Sequence, residues 1–178
     1  MDAIESRILR RIDAKKDEIL AFAKDIYEHP ELSDEEFRTA QKVSEAFSRI
    51  GLTVRTGVSG TGVLGRLPGA LDRRPRVALI GELDAVRCPG HPAADPQTGA
   101  AHACGHHAQL AALYGAAVAL SDPEVMAALS GDTVFFAVPA EERNGAKRRM
   151  IAEGLFDDID IAVTHHTNYA PGQPDLVL

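Results

Sequence analysis

Apolar side chains recur at Ile4, Ile8, Ile12, Ile19, Phe22, Ala23 and Ile26, in steps of three, four and seven residues. This is the repeat of one helical face, and it predicts an amphipathic helix over residues 2–28. Pro30 ends it, because proline has no amide donor and disfavours helical geometry in the residue before it. Ser33-Asp-Glu-Glu36 reads as a capping box that opens a second helix. The expected buried face of that helix is Phe37, Ala40, Val43, Ala46, Phe47 and Ile50, with Gly51 as a left-handed stop. The period then changes. Leu52, Val54, Thr56 and Val58 alternate, Ser59-Gly60 turns the chain, and Val63 to Leu67 runs back as a hairpin or an adjacent strand. Pro68-Gly69 marks a second turn. Val77–Ile80 and Thr133–Val138 are continuous apolar runs, the pattern of strands covered on both faces. Residues 85–102 read as a loop, with Pro89, Gly90, Pro92, Pro96 and Gly99. Ala103–Leu120 is apolar almost all round and predicts a buried helix. Gly145–Glu153 predicts a helix closed by Gly154, and Ile159–Thr164 a last strand. Strands alternating with helices specify an α/β layered fold with an at least partly parallel sheet. Residues 167–178 are loop-like and end on Asp175-Leu-Val-Leu178, an apolar beginning, which reads as a chain stopping inside a larger design.

Composition narrows the classes. With 178 residues, 45% of them hydrophobic, the chain suits one domain, or one and a piece of a second, and is too apolar for disorder. Its uncharged apolar runs are far short of a membrane span, and its start has no signal-peptide core, so no membrane partner is expected. A net charge of -7 argues against a broad nucleic-acid footprint. Two cysteines, Cys88 and Cys104, are too few for a secreted disulfide framework, and a cytoplasmic location is expected.

The seven histidines are unevenly spread, and this changes the picture. Four polar clusters follow apolar runs or the Pro/Gly loop: Glu82 and Asp84; His102, Cys104, His106 and His107; Glu141 and Glu142; His165 and His166. Parallel strands would bring all four to one rim, where α/β sheets bind ligands. Thiolate and imidazole are strong ligands for late divalent metals, and the density of His and Cys over 102–107 favours that use over packing. Of the adjacent carboxylates Glu141 and Glu142, one can ligate a metal while the other moves a proton between water and a leaving amine. Only one of His165 and His166 can face the site, since strand neighbours point to opposite faces. Asp84 is a candidate to hold a ligating imidazole in its tautomer. Arg87 and His91 could meet a substrate carboxylate or be surface residues. Two other readings stay open on the residues alone: a cysteine hydrolase built on Cys104 and a nearby His, and a non-catalytic metal-binding domain. The Glu141–Glu142 pair weighs against the second, because a structural site needs only one of them.

The order His29-Pro-Glu-Leu-Ser33, Gly81-Glu-Leu-Asp-Ala85, His102-Ala-Cys-Gly-His-His107, Pro139-Ala-Glu-Glu142 and a strand-terminal His at 165–166 resembles the di-metal aminoacylase and carboxypeptidase family. Within it the pattern is most similar to the amidohydrolases of auxin conjugates and aminobenzoyl-glutamate. The resemblance implies a three-layer α/β catalytic domain with a mostly parallel, mixed sheet and two divalent ions, manganese or zinc. By motif it implies Cys104, His106, Glu142 and His166 as metal ligands, with His165 as the alternative to His166, and Glu141 as the general base acting on metal-activated water. The implied activity is hydrolysis of a C–N bond in the amide of a small acyl- or aryl-amino acid, a substrate expected to bear a carboxylate. His107 and Gln109 stand where the common pattern has Asp and His. His91-Pro-Ala-Ala-Asp-Pro-Gln-Thr-Gly99 resembles the branches that include a nitroanthranilate aminohydrolase, so aryl-amine hydrolysis at the same site is an alternative. Members of the family are longer, with a lid and dimerisation domain and a further ligand His. Residues 1–178 are therefore expected to be the N-terminal part of a catalytic domain, inactive without its carboxyl half, in a homo-oligomer.

Overall fold

The computed structural model describes residues 2–68, 73–143 and 145–167. In chain order its elements are α1 (Ala3–Ala14), α2 (Lys16–Tyr27), α3 (Phe37–Arg49), β1 (Thr53–Val58), β2 (Gly62–Arg66), β3 (Arg76–Glu82), β4 (Val86–Arg87) and β5 (Ala100–Ala101). They continue with α4 (His106–Leu120), α5 (Pro123–Ala128), β6 (Asp132–Val138), α6 (Ala146–Ala152) and β7 (Ile161–Thr164). Five strands form one mixed sheet in the order β1-β2-β6-β3-β7, and β4 pairs with β5 in a separate ribbon. β3 runs parallel to both β6 and β7, whereas β1, β2 and β6 pair antiparallel.

The fully apolar β6 explains the layering. All of its residues are buried, and successive side chains enter different cores. Phe135 and Ala137 join Phe22, Ile26, Val43, Phe47, Leu110, Leu113 and Tyr114 beneath α2, α3 and α4. Val134, Phe136 and Val138 join Ala78, Ile80, Ala146 and Met150 on the α6 side. Helices thus cover both faces of the sheet, giving three layers. α4 is buried nearly all round because it lies against β3 on one side and α1 and α2 on the other.

Several sequence expectations need correction. The apolar period of residues 2–28 runs through a break: Lys15, at φ -111 and ψ 9, separates α1 from α2. The seven-residue step from Ile12 to Ile19 conceals it, and the break lets α1 reach α5 while α2 packs along α4. Arg7 seals the first of these contacts on Asp122, the cap of α5, at 2.6 Å. Residues 33–36 form no capping box, and the first residue of α3 is Phe37, which is 69% exposed rather than buried. Val43, Ala46 and Phe47 do face the core, with Ala40 and Ile50 at its margin. The loop over 85–102 contains β4 and β5, and α5 was not expected. The buried helix starts at His106 rather than Ala103. Gly51 and Gly154, at φ +84 and +73, close α3 and α6. The expected turn residue Gly69 and the apolar ending of the loop lie outside the described residues.

This packing predicts a contrast between two phenylalanines. Phe135→Ala should lower unfolding free energy by about 3–5 kcal/mol, the usual cost of emptying a core aromatic site. Phe37→Ala should stay within about 0.5 kcal/mol, both read from urea midpoints. Asp25 joins α2 to α3 by pairing with Arg38 at 2.9 Å and Lys42 at 2.8 Å. The Arg38 guanidinium, with Lys42, holds the Asp25 carboxyl down at about 2. A depressed carboxylate contributes stability above its unfolded pKa and loses it as pH falls through the folded one. The stability advantage of the wild type over Asp25→Asn should therefore disappear between about pH 4 and pH 2 in a pH series of midpoints.

Candidate metal centre

The carboxyl ends of parallel β3, β6 and β7 lie side by side, and the first turn of α4 meets them there. Gly105 makes that approach possible. Its φ is +93, and a Cβ on it would lie 2.1 Å from Thr167 Oγ1. The Thr167 hydroxyl donates to the Cys104 carbonyl at 3.0 Å, so the turn bearing Cys104 and His106 closes against the end of β7. Only glycine fits both the backbone angle and the gap.

Cys104 Sγ is 3.3 Å from His166 Nε2. Donor atoms of Cys104, His106 and His166 all lie within 4.8 Å of one another, as do those of Glu82, His106 and Glu141. His106 Nε2 is shared by both groups. It lies 3.0 Å from Glu82 Oε2, 3.9 Å from Glu142 Oε1 and 4.0 Å from Glu141 Oε2. His106 Nε2, Glu82 Oε2, Asp84 Oδ1 and Glu142 Oε1 are buried atoms without a hydrogen-bonding partner. Buried polar atoms are rarely left so. A convergent set of thiol, imidazole and carboxylate donors fits a divalent transition metal or a pair of them.

Buried side chains aim this set. Asp84 Oδ2 accepts from the Ser33 hydroxyl at 2.6 Å and from the Glu142 N–H at 2.9 Å. The Asp84 carbonyl lies 2.8 Å from His106 Nδ1. A proton on Nδ1 is thereby directed away from the site and the Nε2 lone pair toward it. Glu36 accepts from the Thr61 hydroxyl at 2.6 Å, the Ala140 N–H at 2.7 Å and the Asp34 N–H at 3.0 Å. Ala140 has φ +48, a strained angle for alanine, and it starts the turn that carries Glu141 and Glu142. Gln109 accepts from the Glu82 N–H at 2.9 Å and donates to the His165 carbonyl at 2.6 Å, joining the ends of β3 and β7.

The charges show what the site attracts. Burial, with the charges of Glu142, Glu141 and Glu82, pushes the Cys104 thiol up to about 12. Burial opposes charge on His106, but Asp84 and Glu82 outweigh it and raise its pKa. Burial pushes the Glu36 carboxyl up and pulls His102 down to about 3. It also lowers His107 and His165. A cation among these groups would reverse the thiol's shift and compete with the His106 proton.

The structure thus brings Cys104, His106, Glu141, Glu142 and His166 together around Asp84. His165, the alternative to His166, offers its backbone carbonyl to Gln109. His107 packs its ring between Tyr27 and His102, at centroid distances of 4.9 and 5.5 Å. Arg87 is exposed on β4, and His91 Nδ1 accepts from the Ala93 N–H at 3.1 Å. Among the described residues, neither shares a hydrogen bond or ion pair with the cluster. Ser33, Glu36, Gln109 and Lys147 were not foreseen as site residues, and Glu82 was seen only as a strand-end acid. Lys147 pairs with Glu82. Ser33 and Glu36 carried a signal, two polar residues beside the His29-Pro30 turn, that a local cap explained equally well. Glu36→Ala should cost about 2–4 kcal/mol, since it strips an acceptor from two buried donors. A thermal or urea melt beside Glu36→Gln, which keeps one acceptor, checks this.

Comparison with known proteins agrees with this geometry. The model of peptidase family M20/M25/M40 matches residues 78–176. A p-aminobenzoyl-glutamate hydrolase polypeptide of Escherichia coli is 31% identical over 166 residues, which are 87% of this chain and 33% of that protein. The N-acetyl-L-cysteine deacetylase of Bacillus subtilis is 30% identical over 164 residues, 90% of this chain and 38% of that one. Among solved structures, the Bacillus subtilis YXEP protein, a dinuclear metal binding peptidase, superposes with a TM-score of 0.74 at 26% identity, covering 88% of this chain and 44% of that one. The chain therefore spans less than half the length of these relatives.

Proposed function

Because the chain belongs to peptidase family M20/M25/M40, we propose that it forms the metal-bearing N-terminal part of a catalytic domain that hydrolyses a C–N bond. The substrate class is the amide of a small acyl- or aryl-amino acid. Two relatives are named for such amides, an aminobenzoyl-glutamate and an N-acetyl-cysteine. The observation that carries this reading is the convergence of Cys104, His106 and His166 donors within 4.8 Å, with Glu142 3.9 Å from His106.

Cys104, His106, Glu142 and His166 would hold the metal, manganese or zinc, as a pair of ions in the complete enzyme. When bound, such ions polarise the scissile carbonyl and make water a better nucleophile near neutral pH. The chain supplies the rest. Asp84 fixes the His106 ring, and its bond to the Glu142 N–H fixes the following carboxylate. Glu141 is partly exposed beside the same imidazole, where it can take a proton from the attacking water and return it to the leaving amine. The elevated Cys104 thiol weighs against a cysteine nucleophile, which needs a depressed pKa. The adjacent carboxylates weigh against a purely structural site.

In the complete protein that carries this chain, chelation should abolish hydrolysis of N-acyl amino acids, and manganese or zinc should restore it. Recovery with a thiol reductant but not with metal would overturn the reading. Turnover of an aryl amine in place of the amide would move the substrate class to aminohydrolysis. Glu141→Gln should keep its metal content by elemental analysis and lose at least about 10²-fold in kcat, the usual scale for a positioned acid–base group.

A further inference from the structure

Lys147 lies on the first turn of α6, outside the donor set, yet its ammonium reaches into it. Nζ pairs with Glu82 Oε1 and stands 3.7 Å from Glu141 Oε1. The opposite oxygens of the same carboxylates face His106 Nε2, Glu82 Oε2 at 3.0 Å and Glu141 Oε2 at 4.0 Å. Each carboxylate is therefore shared between an ammonium on one side and the imidazole edge on the other. The Glu82 side chain is 4% exposed, so little water dilutes its charge, while Lys147 is 42% exposed and its stem has room to withdraw. Anchoring α6 does not require this lysine, since Ala146 and Met150 already bury that helix against the sheet.

We propose that Lys147 is a built-in competitor for cations, which weakens the hold of Glu82, His106 and Glu141 on a divalent ion. The proposal rests on the metal-binding reading above. Glu82 cannot give its full charge to an arriving ion while it neutralises an ammonium. Two like charges a few ångströms apart also oppose each other strongly where water is largely excluded. The lysine thus stabilises the buried carboxylate when no ion is bound and sets the concentration at which an ion replaces that pairing. A lysine serving only as a structural tie would change stability and leave ion affinity alone.

The test is a titration of the complete protein with Mn2+ alone, following free Mn2+ by its paramagnetic resonance signal. Wild type is compared with Lys147→Met, Lys147→Arg, Lys147→Gln and Lys147→Met in a Glu82→Gln background. Lys147→Gln keeps a hydrogen bond to Glu82 without the charge, which serves if the methionine variant folds poorly. Removing the charge should tighten the weaker Mn2+ site at least about tenfold, and arginine should leave it within about threefold. In the Glu82→Gln background the gain should vanish. Unchanged or weaker Mn2+ binding in both folded neutral variants would overturn the proposal, as would an equal gain in Lys147→Arg. Absence of Mn2+ and Zn2+ binding by wild type would instead overturn the metal-centre reading, and this proposal with it.

Discussion

The buried carboxylate of Asp84 is the joint on which the site depends. It takes a hydroxyl from Ser33 after α2 and an amide from Glu142 after β6, while its carbonyl receives His106 at the start of α4. Three segments remote in sequence are thus referred to one residue at the end of β3. Burying a charge is costly unless it is hydrogen-bonded, and hydrogen bonds offset that cost here. Opposite tendencies act on its titration: burial favours the neutral acid, whereas His106, Ser33 and the Glu142 amide favour the anion and prevail. The anion in turn keeps the neighbouring imidazole oriented.

Around this joint the sheet does the gross positioning. Parallel β3, β6 and β7 end at one level, so whatever follows each strand shares a rim. Apolar packing on both faces of β6 holds that level. The polar residues are added only where the apolar strands stop, so the rim gathers carboxylates without interrupting either core. Glu36 and Gln109 then adjust what the strands leave approximate, the first by gripping the amide of Ala140 and the second by spanning β3 and β7.

The strands and the buried helix were legible because continuous apolar runs leave little choice of environment. The dense His and Cys run, the paired glutamates and the terminal histidines were legible as donors because such residues are otherwise sparse in the chain. What escaped was set by distance along the sequence. Ser33 and Glu36 have the spacing of a local cap, but their partners lie 51 and 104 residues away. The break at Lys15 was invisible because Ile12 and Ile19 keep the helical period across it. Phe37 extends the apolar period of α3 one step beyond the face that packs. Lys147 gives no signal at all, since a basic residue on a polar helix is ordinarily solvated.

The edge position of β7 bears on how the site assembles. Among the described residues β7 is an outermost strand of the sheet, and the contact from Thr164 to Ile80 spans 84 residues. Closing so long a loop is entropically costly and is repaid only late in folding. Cys104 and His106 travel on a helix whose packing partners α1, α2 and β3 all precede it in the chain. His166 arrives with the margin of the sheet. An ion that gathers thiol and imidazole from these two places acts as a reversible cross-link between the early-packed helix and the late-docking strand. It favours the docked strand by mass action and so links the order of this edge to the cation supply around a newly made chain.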